Sequence, residues 1–138
     1  MTPYCWGVLV SKKILIADDE PNIVAALEFL LQQGGYEVLT AHDGEEALRL
    51  VEAHAPDIVL LDVMMPQKSG YEVCQRIRER QQWRHIKIVM LSAKGRDAEV
   101  IKGLSMGADL YVTKPFSTRE LMSKINGLFE LGSQPGPA

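Results

Sequence analysis

Short apolar runs, each stopped at a polar position, alternate along this chain with longer stretches in which apolar residues recur at helical spacing. The first run, Lys13-Ile-Leu-Ile-Ala17, breaks off at Asp18-Asp19-Glu20-Pro21, the pattern of a buried strand ending in a polar loop. Pro21 suits the first turn of a helix. Ile23, Leu27, Leu30 and Leu31 carry that helix to Gly34-Gly35, which reads as its C-terminal stop. The unit then repeats: Glu37 to Ala41 predicts a strand, Asp43-Gly44 a turn and helix cap, and Ala47, Leu48 and Val51 a short helical stripe ending near Pro56. Ile58-Val-Leu-Leu-Asp62 predicts a third strand. It is apolar until its last residue, as suits a central strand covered on both faces of a parallel sheet.

Met64 to Gly70 reads as a loop, and Val73 and Ile77, set among Arg76, Arg78, Glu79 and Arg80, as an amphipathic helix. Ile86 to Leu91 predicts the fourth strand. Val100, Ile101 and Leu104 mark a helix stopped around Gly107, and Leu110 to Thr113 a short fifth strand running into Lys114-Pro115. Ser117 and Glu120 have capping-box spacing ahead of Leu121, Ile125 and Leu128. Five strands alternating with five helices predict an α/β fold, a five-stranded parallel sheet with helices on both faces, wound by right-handed crossovers. The domain spans 12–131. Residues 1–11 form an N-terminal extension, and the Pro/Gly-rich segment 132–138 a flexible tail or linker.

Composition narrows the function. A chain of 138 residues with 46% hydrophobic and 24% charged residues has the balance of one soluble globular domain. A net charge of -3 with scattered basic residues argues against nucleic-acid binding and against attraction to anionic lipid. Tyr4 to Val10 is too short to cross a bilayer and lacks the basic start of a signal peptide, so a cytoplasmic location without membrane attachment is expected. Cys5 and Cys74 lack metal-ligand spacing and read as reduced thiols, Cys74 as a small apolar group on a helix.

Ligands of open α/β sheets bind outside the carboxyl ends of the strands. Asp18, Asp19, Asp62, Ser92 and Lys114 all fall at such ends. Taken singly, an acidic pair after a strand is more often a cap, a serine a turn residue and a lysine a solvated charge. Their joint placement points elsewhere. Clustered carboxylates raise one another's pKa unless a cation neutralises them. A hard divalent ion, Mg²⁺ or Mn²⁺, accepts one or two carboxylates and leaves room for a phosphate oxygen. Asp62, ending the most apolar strand, is the candidate nucleophile for an aspartyl-phosphate, and the loop after it could lend a backbone carbonyl to the metal. Lys114 suits phosphoryl oxygens, and the Ser92 hydroxyl can donate to the same group.

With Ile-Leu-Ile-Ala-Asp18-Asp19-Glu20-Pro21, Asp62-Val-Met-Met-Pro66 with Gly70, Leu91-Ser92-Ala93 and Lys114-Pro115-Phe116 in this order, the chain resembles the receiver domain of two-component response regulators over Lys12 to Leu131. The resemblance implies a flavodoxin-like (βα)5 receiver fold, with Asp62 as phosphoacceptor. It further implies Asp19 as direct metal ligand, Asp18 as the second acid acting through water, and the Met64 backbone carbonyl as a further ligand. Ser92 and Tyr111 match the switch pair and Lys114 the lysine on the phosphate. A histidine kinase or phosphotransfer protein would be the donor, and a downstream protein or output domain the target. The altered surface would comprise the fourth helix, fifth strand and fifth helix.

In that family the positions of Met64 and Lys94 influence phosphoryl lifetime, and a thioether orients water poorly, so a long-lived phosphoryl state is expected. Leu110 stands where the transcription-factor branch often has an acid, which weakens the case for dimerisation through that face. A pseudo-receiver binding module is an alternative, opposed by the complete set of site residues. An aspartyl-phosphate hydrolase would need an aspartate where Met64 stands. No dinucleotide-binding glycine pattern follows the first strand. The domain is thus expected to be a regulatory phosphoacceptor rather than an enzyme with an external substrate.

Overall fold

The apolar runs pair as a single sheet. In the computed structural model, which describes residues 12–65, 69–92, 102, 104–114 and 116–133, β1 (Lys13–Ala17) lies between β2 (Glu37–Ala41) and β3 (Ile58–Asp62). Beyond β3 come β4 (Lys87–Ser92) and β5 (Leu110–Thr113), all parallel, giving the order β2-β1-β3-β4-β5. This is the doubly wound sheet that the sequence predicts. The N-terminal extension, Cys5, Pro66, Ala93, Lys94, Val100, Ile101, Pro115 and residues 134–138 lie outside the described residues.

Period-two alternation along the strands sorts the core into two layers. Ile14, Ile16, Ile58, Leu60, Val89, Leu91 and Val112 face α1 (Pro21–Gln33) and the C-terminal helix, which supply Val24, Leu27, Leu31, Leu121, Ile125 and Leu128. Leu15, Ala17, Val59, Leu61, Ile88 and Met90 face α2 (Gly44–His54) and α3 (Gly70–Glu79), which supply Ala47, Val51, Val73, Cys74 and Ile77. All five residues of β3 are buried, because the strand is covered on both faces. Fully burying such a Leu or Ile stabilises the fold by roughly 1.5–3 kcal/mol.

The helix ends follow local chemistry. Pro21 opens α1. Asp43 accepts the Glu46 amide at 2.8 Å to cap α2, and Ser69 accepts the Glu72 amide at 3.3 Å to cap α3. The C-terminal helix, α4 (Thr118–Ser133), has the Ser117 hydroxyl accepting the Glu120 amide at 3.3 Å. It runs through Gly132 and Ser133, the first two residues that composition assigns to the tail. Of the helix read around Val100 to Leu104, Lys102, Leu104 and Ser105 are helical among the described residues.

Gly70 positions the site. Its amide donates to Val63 O at 3.0 Å. A Cβ there would overlap the Asp62 carbonyl oxygen and stand 3.0 Å from the Asp62 carbonyl carbon. The start of α3 therefore presses directly on the backbone that carries Asp62.

At the opposite end of the sheet, Arg78 of α3 donates from Nε to Gly107 O at 2.8 Å and from a terminal nitrogen to Asp109 Oδ2 at 2.9 Å. The same Asp109 oxygen accepts the Ile88 amide at 2.8 Å. This clasp fixes where β5 begins. Cys74 is a free, buried thiol on α3, as expected; burial pushes it up to about 11, so it behaves as a small apolar group.

Candidate functional site

The strand order reverses between β1 and β3, which opens a crevice at their carboxyl ends. Asp18 follows β1 and Asp62 closes β3. The Asp18 amide still donates to Ala41 O at 3.2 Å, so the ladder of β1 runs one residue further. Alternation then carries Asp18 and Asp62 to the same side as Ile16 and Leu60. Likewise the Lys114 amide donates to Ser92 O at 2.7 Å, which extends β5 beside β4 and delivers Lys114 to the same crevice.

The three side chains meet. Lys114 Nζ donates to Asp18 Oδ2 at 3.0 Å and to Glu20 Oε1 at 3.3 Å, and lies 3.7 Å from Asp62 Oδ2. The Asp18 side chain is 0% exposed and that of Asp62 8%. Asp18 Oδ1 accepts the Glu20 amide at 2.9 Å, and Asp62 Oδ1 accepts the Met64 amide at 3.2 Å. Every polar atom of the two carboxylates is therefore close to a donor.

Burial pushes the Asp62 carboxyl up to about 6, and the negative charge of Asp18 adds to the rise, while Lys114 and the Met64 amide pull the other way. For Lys114, burial alone pulls the ammonium down. The hydrogen bond and charge of Asp18, then Asp62 and Glu20, outweigh it and hold the lysine above its ordinary value. Lys114 thus stays charged, and Asp62 is ionised at neutral pH at some cost.

The carboxylates that gather within 4.8 Å are those of Asp18, Glu20 and Asp62. Asp19 is exposed and stands outside this group, as alternation from Asp18 requires. Glu20 joins the site without having been singled out from the sequence. Ser92 is buried at the end of β4, level with Thr113 of β5, and Tyr111 is half-buried in β5, level with Met90. Met64 is 62% exposed at the mouth of the crevice.

The sheet, the crevice and the acid-lysine cluster find their counterpart in one family. The family model described as response regulator receiver domain matches residues 14–126. This chain belongs to that family. The receiver domain is 43% identical over 129 residues to the alkaline phosphatase synthesis transcriptional regulatory protein PhoP of Bacillus subtilis (strain 168), covering 94% of this chain and 53% of PhoP. It therefore spans about half the length of that curated relative.

Among solved structures, it superposes on a putative response regulator from Chloroflexus aurantiacus J-10-fl with a TM-score of 0.83 at 35% identity, covering 88% of this chain and 99% of that one. Against DrrB, an OmpR/PhoB homologue of Thermotoga maritima, the TM-score is 0.80 at 36% identity, covering 88% of this receiver domain and 54% of DrrB. Receiver domains are regulatory phosphoacceptors, and membership implies phosphorylation-dependent switching in two-component signalling. Among the described residues, no helix is long and apolar enough to cross a membrane.

Proposed function

We propose that this receiver domain accepts a phosphoryl group on Asp62 and thereby changes the surface around β5, α4 and the segment before β5. The observation that carries the reading is the meeting of buried Asp18 and Asp62 with Lys114 at the topological switch point. Three carboxylates against one ammonium leave an excess of negative charge, and that excess suits a divalent cation. Asp62 would hold Mg²⁺ or Mn²⁺ together with the Met64 backbone carbonyl and Asp19, whose exposed side chain would have to turn toward the ion, and Asp18 would act through water; Glu20 stands near enough to contribute. When bound, the ion neutralises charge on the transferring phosphoryl group.

The donor would be a phosphohistidine of a histidine kinase or phosphotransfer protein. An Asp62 carboxylate oxygen attacks phosphorus, the O–P bond forms as the N–P bond breaks, and the imidazole leaves with its electron pair. Lys114 moves from its carboxylate partners to the phosphoryl oxygens. The Ser92 hydroxyl donates to the same group, and Tyr111 turns inward into the space that Ser92 vacates. A downstream protein or an output domain reads the new surface. Met64 presents a thioether that cannot orient an attacking water, which favours a long-lived phosphoryl state.

Beryllofluoride, the activating ligand named for the DrrB receiver domain, tests the switch here. Adding it with Mg²⁺ should shift the backbone resonances of Ser92, Tyr111 and Lys114 in the wild type and leave Asp62→Asn unchanged. Shifts that reach Lys114 but leave Tyr111 unmoved would contradict the proposed switching surface.

A further inference from the structure

Glu20 sits where folding alone would favour a different residue. It is the N-cap of α1, a position at which Ser, Thr, Asp or Asn closes the helix end, yet its side chain makes no capping hydrogen bond. The carboxylate turns instead to Lys114. Lys114 is thus held at hydrogen-bond distance by Asp18 (3.0 Å) and Glu20 (3.3 Å), while Asp62 stands off at 3.7 Å.

The two holders differ. Asp18 is fully buried with both oxygens engaged, so losing Lys114 would leave one of its buried oxygens without a donor. The Glu20 side chain is 59% exposed, and water can replace Lys114 as its partner. Two of the three N–H groups of Lys114 are thus engaged, and drawing the ammonium fully onto a phosphoryl group on Asp62 strains the exposed bond to Glu20 before the buried one to Asp18.

We propose that Glu20 is a latch on Lys114, a positioning residue that holds the ammonium back from Asp62 in the resting protein and so slows phosphoryl acceptance. The inference rests on the reading of Asp62 as acceptor. Two other properties of Glu20 are separable from the latch. Its charge repels an anionic donor, which acts on the donor concentration needed for half-maximal rate. Its nearness to Asp18 and Asp62 aids cation binding, which acts on the Mg²⁺ concentration needed.

The test follows phosphoryl gain from acetyl phosphate by intact mass in wild type and Glu20→Gln, each at its own saturating Mg²⁺, over a range of donor concentrations. The latch predicts a rate at saturating donor about two- to five-fold higher in Glu20→Gln, the range that loss of one half-exposed ion pair supports. A purely structural role would move the unfolding midpoint and leave that rate alone. An equal or slower saturating rate, or a change confined to the half-saturating donor concentration, overturns the latch. Absence of phosphoryl gain in the wild type overturns the acceptor reading and the latch with it; gain without acceleration overturns the latch alone.

Discussion

Lys114→Met lowers the stability of the metal-free protein by about 2–3 kcal/mol near neutral pH, because it strips a buried carboxylate of its cation. Asp18 is 0% exposed and its Oδ2 has Lys114 Nζ at 3.0 Å. Methionine fills much of the lysine stem's volume, so the loss is mainly electrostatic and not a cavity. The deficit should shrink as Mg²⁺ is added, since a divalent ion restores the missing positive charge. It should also shrink on acidification, as Asp62, already held at about 6, takes up a proton and relieves the repulsion. Urea unfolding with and without Mg²⁺, at neutral pH and at about pH 5, reads all three effects. An unchanged midpoint in the metal-free protein would show that Lys114 does not neutralise this cluster.

Asp62→Asn should do the reverse. The folded protein holds the Asp62 carboxyl at about 6, above the value of about 4 expected in the unfolded chain. A carboxyl raised on folding costs nothing below the unfolded value; the cost grows between the two values and is complete above the folded one. Removing the charge therefore stabilises the metal-free protein by roughly 2–3 kcal/mol above pH 6, with the gain fading toward pH 4. Saturating Mg²⁺ should invert the order, since only the wild type retains the carboxylate that the ion requires. Thermal unfolding across pH, in chelator and in Mg²⁺, measures both halves. A destabilised Asp62→Asn in chelator at neutral pH would refute the strain assigned to this carboxylate.

Such strain is what a signalling site needs. A charge held unfavourably in the resting state can be relieved by metal and phosphate, so binding and modification have something to shift. The surrounding β3 and β4 are buried and paired on both sides, which holds the backbone of Asp62 and Ser92 while their side chains and that of Lys114, on the loop after β5, can change partners.

The sheet was legible because its signals are redundant. Each strand is an apolar run with a polar stop, and Pro21, Asp43 and Ser117 mark helix starts by the chemistry of free amide groups. Strand-end placement likewise predicted that Asp18, Asp62 and Lys114 converge. What remained hidden was the direction of side chains in the run Asp18-Asp19-Glu20. Composition cannot rank adjacent acids, whereas the extended ladder of β1 carries Asp18 inward and leaves Asp19 exposed.

Glu20 escaped notice for a related reason. A glutamate before a proline at a helix start reads as a solvated cap, and its contact with Lys114 spans 94 residues of sequence. One signal was available: glutamate is a poor N-cap, and a poor cap in a site loop invites the question of what else its side chain meets. The Arg78–Asp109 clasp was hidden too, since it depends on how α3 and the start of β5 come together.

The most direct measurement of the central claim is the intact mass of the protein after incubation with acetyl phosphate, with Mg²⁺ and with chelator, beside Asp62→Asn. Gain of a single phosphoryl group by the wild type, dependent on Mg²⁺ and absent from Asp62→Asn, is the predicted result. Equal gain by Asp62→Asn, or none in a wild type shown to bind Mg²⁺, would contradict it.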